Sequence, residues 1–141
     1  MAAGILAMCT ALLLVRSSAL QKQYHRLQVR VAAQALAADL RCLQQEALFQ
    51  AADAQTFLTV GSDKTKYSFK KGMNIIRTVR FTSLNCEGVY FSSGIDRLAF
   101  SKAGNPTASG SYILKHNDLP NYRCQLSLQP VTGRVSVYEK E

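Results

Sequence analysis

The first 54 residues contain no proline, a single glycine (Gly4) and 14 alanines. A stretch of that length, without breakers and rich in strong helix formers, predicts one helix. Its apolar pattern changes part-way. Met1 to Val15, MAAGILAMCTALLLV, has no charged residue, and Arg16-Ser17-Ser18 ends the run. Beyond it Leu20, Tyr24, Leu27 and Val31 follow one another at spacings of 4, 3 and 4. Ala35, Ala38 and Cys42 continue that stripe, with Leu36, Leu40, Leu43 and Ala47 beside it. This is the 3.6-residue period of an amphipathic helix. Gln21, Lys22, Gln28, Arg30, Gln44 and Gln45 are expected on its other faces. An unbroken helix from about residue 3 to 52 would be roughly 75 Å long. A compact domain of 141 residues has no use for such a rod. Its first half is therefore expected to project from the body and to sit in lipid or among other helices. Ile5, Leu6, Leu12, Leu13, Leu14 and Val15 would make the contacts.

From Gln55 onward the composition reverses: three alanines, seven glycines, all three prolines and ten of the twelve aromatic residues. Short aromatic and β-branched runs separated by Gly, Pro, Asn and Asp predict strands and turns. The runs are 55–60, 67–69, 74–83, 89–91, 97–101, 111–115, 122–128 and 134–138, with a turn at Lys70-Lys71-Gly72. Alternation in YRCQLSL and RVSVY suits antiparallel strands with one wet face. The expected fold class is α+β: a long N-terminal helix packed through its amphipathic half on an antiparallel meander. Three parts follow: an apolar tip (1–16), an amphipathic helix (17–54) and a β-rich domain (55–141), with the boundary near Ala52–Gln55.

The uncharged run is shorter than the roughly 20 residues of a full membrane span and longer than the 10–14 of a signal-peptide core or buried helix. No Lys or Arg precedes Ile5 and no clean small-residue cleavage site follows. An anchor that lacks its beginning fits at least as well as a signal peptide or an internal buried helix.

The net charge of +8 permits an anionic partner without requiring one. Lys64, Lys66, Lys70, Lys71, Arg77 and Arg80 lie within 17 residues without an acid among them. Two readings stand side by side. One is a patch for DNA phosphates, with salt-sensitive binding and Tyr67, Phe69 and Phe81 stacking on bases. The other is the solvated face of two strands with those aromatics turned inward. Cys86 and Cys124 both fall in the β-rich part. They suit either a disulfide closing a loop of about 38 residues, worth a few kcal/mol, or two buried thiols. Cys9 and Cys42 are expected as helical packing residues. No nucleotide-binding, nucleophile-elbow or zinc-protease motif is present. The two histidines, His25 and His116, are far apart without ligand-type spacing. Asp39 and Glu46, seven apart on the helix, suit solvent-side pairing. No catalytic residue, cofactor-binding residue or metal ligand is assigned from the sequence, and the expected cofactor set is empty.

Two stretches carry a family resemblance. Val31–Ala47, VAAQALAADLRCLQQEA, has a small-residue face followed by Asp-Leu-Arg and a Gln-Glu-Ala step. Leu98–Val137 has a Phe strand, a Gly-containing loop, two strands and a final Gly-Arg-Val. Together with the apolar start, the chain resembles the minor pseudopilins of the type IV pilin-like family. The resemblance implies a structural subunit of a type II secretion filament, a type IV pilus or a competence pilus. Such a subunit primes assembly or sits near the fibre tip. Its partners would be other pilin-like subunits, with DNA as a further partner where the fibre takes up DNA. It would cross the cytoplasmic membrane once, with the β-domain outside. Some proteins of this kind bind DNA through a basic C-terminal tail. Here that end has one cation, Arg134, before Val135-Ser136, and closes on the acidic Glu139-Lys140-Glu141. The family also begins with a basic leader, a Gly–Phe cleavage site and a glutamate. Met1-Ala2-Ala3-Gly4-Ile5-Leu6 looks like the helix just after that glutamate, so Met1 is expected to be an internal methionine. Arg16 with no upstream cation would hold the following domain in the cytoplasm; a basic leader would restore export.

Overall fold

The computed structural model describes residues 2–49 and 55–140, leaving aside the side chains of residues 2, 15 and 16. The expected boundary at Ala52–Gln55 thus lies, apart from Gln55, outside the described residues, as does the side chain of Val15. One helix, α1 (Ala2–Phe49), precedes eight strands. These are β1 (Thr56–Val60), β2 (Lys66–Lys71), β3 (Asn74–Arg80), β4 (Val89–Ser93), β5 (Arg97–Ala99), β6 (Gly110–His116), β7 (Leu119–Leu128) and β8 (Val135–Lys140). The architecture is α+β with antiparallel sheets. Each strand falls on a run expected from the sequence. The third run ends early, because Phe81–Leu84 forms a 3-10 turn closed by Asn85 at φ 58°. That turn drives the Phe81 ring into the core.

All 48 residues of α1 are helical without a break, including the junction near residue 16. At about 1.5 Å per residue the rod is about 72 Å long. Residues 3–14 and 17–24 are exposed throughout, and burial begins only near His25. From there Val29, Ala32, Ala33, Leu36, Ala37, Leu40 and Leu43 line the face that meets the sheets. The alanines let the strands approach, and each buried leucine contributes about 1.5–3 kcal/mol.

Leu36, Leu40, Leu43 and Ala47, expected beside the stripe, do pack, but the stripe itself does not. Leu20, Tyr24, Leu27 and Val31 point outward, and the buried face is turned by about 100° or more from them. Alanine is abundant on both faces, so apolar periodicity alone did not select between them. Cys9 and Cys42, expected as packing residues, are likewise exposed.

The expected single meander is two. One sheet has the order β3-β2-β1-β5 and the other β4-β6-β7-β8, so β4 and β5 exchange sheets. The first hairpin turns on Gly72-Met73, one residue later than expected. Lys71 pairs with Asn74, and Gly72 takes φ 66° as the first central residue of the two-residue turn. The α1 helix lies mainly against β6, β7 and β8. Aromatic rings bind the two sheets beneath it: Tyr67 of β2 meets Phe91 of β4 at 6.3 Å, and Phe91 meets Tyr112 of β6 at 5.9 Å. Offset and edge-on contacts of this kind add to the burial of the rings themselves.

Stability should follow the observed face. Leu36→Ala is expected to cost about 2–5 kcal/mol, whereas Leu27→Ala should stay within about 0.5 kcal/mol. Urea unfolding of the full chain in mild detergent measures both, and an equal or reversed order would contradict this packing.

Candidate functional site

Three features outside the core have functional shape: the uncovered part of α1, the polar pins that fix the rest of α1 to the body, and the basic strand pair. Ile5, Leu6, Leu12, Leu13 and Leu14 are each more than 60% exposed, and no strand reaches them. This helix is long and apolar enough to cross a membrane, and none of its most apolar segment is buried inside the protein. Thr10, the one hydroxyl between residues 3 and 14, satisfies itself by donating to Leu6 O at 3.0 Å or Ala7 O at 2.9 Å. A helix whose polar groups are all met internally can enter lipid without unpaired donors.

Where α1 joins the body, polar side chains hold it. Gln28 Nε2 donates to Asn85 O at 2.9 Å, and Gln44 Nε2 donates to Gly104 O at 2.9 Å and Thr132 O at 3.1 Å. Both glutamines were expected on faces away from the apolar stripe; both grip loop carbonyls. Gly133 allows this approach. It sits at φ 67°, and a Cβ there would fall 2.5 Å from Gly104 O and 2.6 Å from Gln44 Nε2. Arg30 pairs with Glu139 at 2.7 Å, which draws the acidic end of β8 onto the helix. Asp39, expected to pair toward solvent, accepts from the Tyr67 hydroxyl at 2.6 Å and from Arg77 at 2.7 Å. Burial first, then the Asp39 carboxylate, raises the Tyr67 phenol well above its ordinary value.

The strand pair does not form the stacking platform weighed above. Tyr67, Phe69 and Phe81 are all buried, so none is available to a base. Of the six cations, Arg77 is committed to Asp39 and lies over the Phe69 ring at 4.9 Å. Lys66 stands directly opposite Arg80 across β2 and β3, and Lys70 and Lys71 follow along β2 toward the turn. Beside them Met73, Ile75 and Ile76 are exposed. Arg134 belongs to the other sheet, just ahead of β8. The structure therefore gathers Lys66, Lys70, Lys71 and Arg80 on one hairpin, with Lys64 in the preceding turn, and leaves Arg134 out.

Cys86 and Cys124 are buried free thiols, so the disulfide weighed from the sequence does not form here. Each has its own partner: Cys86 Sγ donates to Leu84 O at 3.4 Å, and Cys124 Sγ meets the Tyr122 hydroxyl at 3.7 Å. Burial pushes both thiols above the ordinary range.

One cluster went unseen in the sequence. His25 of α1 and His116 of β6 stack with ring centroids 4.1 Å apart. Gln28 Oε1 lies 3.1 Å from His25 Nδ1 and 3.0 Å from His116 Nε2. Asp118, in the turn after His116, places Oδ2 at 3.5 Å from His25 Nε2 and 4.0 Å from His116 Nδ1. Burial, together with the neighbouring His25, lowers the His116 imidazole below its ordinary value. No linear spacing could reveal this group, because its members come from opposite ends of the fold.

The Asp39 pin has a measurable signature. Asp39→Ala leaves the fully buried Tyr67 hydroxyl without an acceptor and should cost about 1–3 kcal/mol. Arg77→Ala removes a half-exposed partner and should cost less than about 1 kcal/mol. Denaturation midpoints decide between them, and a larger loss in Arg77→Ala would contradict the assignment. Comparison of the chain with protein-family models, with curated proteins and with solved structures finds no match.

Proposed function

We propose that this chain is a membrane-anchored structural subunit of a helical filament of the minor pseudopilin kind, and that its chemistry is packing. The observation that carries the reading is the division of α1. Its second half is seated on the sheets, while Leu20, Tyr24 and Leu27 are 64%, 54% and 52% exposed, and all the described side chains of the tip beyond them are exposed as well. Apolar surface of that extent on one element calls for lipid or for other helices. A filament supplies both in turn: the tip rests in the bilayer before assembly and among neighbouring helices afterwards. The sequence resemblance over Val31–Ala47 and Leu98–Val137 favours the pilin-like version. In that arrangement the β-domain faces outward, outside the cytoplasmic membrane, and the partners are other pilin-like subunits.

A second reading, an anchored module that holds DNA or an anionic wall polymer, is favoured by one feature. Lys66 and Arg80 are directly paired across strands. Like charges in that position destabilise a sheet, and an anion would relieve them.

Two measurements separate these readings. In its own host the full chain should pellet with membranes, resist carbonate extraction and enter the sheared fibre fraction. Leu13→Arg, which costs about 2.5–3.5 kcal/mol at the centre of a span, should abolish all three. Recovery of the unaltered chain as a soluble monomer would sink the filament reading. The anion-binding reading instead requires duplex-DNA affinity that falls steeply with salt and collapses in the Lys70→Glu/Lys71→Glu double variant. A pure assembly subunit shows neither.

A further inference from the structure

We infer that His25, His116 and Asp118 form a binding site for one divalent transition-metal ion of the zinc class, fastening α1 to the β6–β7 turn where the helix leaves the body. The hydrogen bonds dictate which ring atoms are free. Gln28 Nε2 is spent on Asn85 O, so the amide can present only its oxygen to the two rings. Both imidazole atoms touching that oxygen must then be N–H donors: His25 Nδ1 and His116 Nε2. In the neutral rings this leaves lone pairs on His25 Nε2 and His116 Nδ1, the two atoms on the Asp118 side. A histidine that gives one N–H to an oxygen acceptor and turns the other nitrogen to a metal is the usual arrangement at metal sites. Here a single amide oxygen serves both rings.

With the rings so held, His25 Nε2 and Asp118 Oδ2 face each other at 3.5 Å, a placement satisfied either by a proton on the ring or by a cation bound between them. Among the described residues these three side chains bring their ligand atoms within 4.8 Å of one another. Donors bound tetrahedrally to one zinc at about 2.0–2.2 Å lie about 3.3 Å apart. Asp118 already stands 3.5 and 4.0 Å from the two ring nitrogens and is 67% exposed on its turn, so the widest separation is between the rings, and metal binding requires the half-buried His25 ring to turn toward His116. His116 Nδ1 now accepts from the Asp118 amide at 3.0 Å and would exchange that bond for the metal, leaving the amide to water. Two imidazoles and one carboxylate favour zinc-class ions, since magnesium and calcium prefer all-oxygen shells. Gly88 holds the second wall: a Cβ there would meet His116 Cε1 and Nε2 at 2.8 Å. The site is independent of the filament reading, because it needs only α1 seated on the sheets.

The test uses the full chain in detergent micelles, stripped with chelator. It carries Cys9→Ser and Cys42→Ser so that exposed thiols do not contribute. Calorimetric titration with zinc chloride should show one site per chain, and zinc but not magnesium should raise Tm. His25→Gln and Asp118→Asn should each weaken zinc binding at least tenfold while still melting cooperatively without metal. No zinc-dependent rise in Tm, or an affinity unchanged in both variants, would overturn the assignment.

Discussion

A helix closes its own backbone hydrogen bonds, and this lets α1 live in two environments. No other regular element could leave the body for half its length and still keep every interior N–H and C=O paired. Everything else in the molecule answers to that one rod. The sheets need only cover the face of its second half, which is why a modest set of short strands suffices. The described side chains of the first half are exposed and stay free to serve an interface outside this chain. The exposed leucines of the tip and the buried leucines of the body are thus two uses of one continuous surface.

The seat of the rod is more polar than an apolar stripe implies. Ala32, Ala33 and Ala37 bring the helix close to the strands, and close approach puts loop carbonyls within reach of its glutamines. Gln28 and Gln44 each grip a loop, and Asp39 ties the helix to β2 and β3. Burial alone would let a rod slide along a flat sheet, since the hydrophobic effect has no direction. Side-chain bonds to fixed carbonyls set its register, and register determines how far the tip extends. The exit point carries its own ties in Arg30–Glu139 and the His25–His116 stack.

Much of the fold was legible in the sequence. The long helix followed from the lack of breakers, and the strands followed from runs such as YRCQLSL and RVSVY, whose alternation reflects one wet face. The buried face of α1 was only partly legible: Leu36, Leu40, Leu43 and Ala47 were in view, but alanine fits both a core and a surface, and the Leu20–Val31 stripe turned out to face away from the sheets. The exchange of β4 and β5 was not legible, because it depends on long-range pairing: Phe57, Leu58 and Thr59 pair with β2 on one side and with the distant β5 on the other. At the candidate sites the cations of 64–80 were visible, but their commitments were not. Arg77 is tied up by a carboxylate 38 residues away. The loop glycines carried a hidden message as well. Gly104 and Gly133 lie under Gln44, and the close backbone contact there explains the Gly-containing loop and the Gly-Arg-Val step in physical terms.

The division of α1 is tested most directly at Cys9, a natural reporter on the exposed tip. Cys42 would be replaced by serine, and burial keeps Cys86 and Cys124 from reacting. A spin label on Cys9 of the full chain in liposomes can be read against two relaxing agents, dissolved oxygen and a water-soluble nickel chelate. The expected result is strong relaxation by oxygen and protection from nickel, the pattern of a side chain in lipid. Ready access to nickel, or immobilisation of the label against the chain's own β-domain, would contradict it.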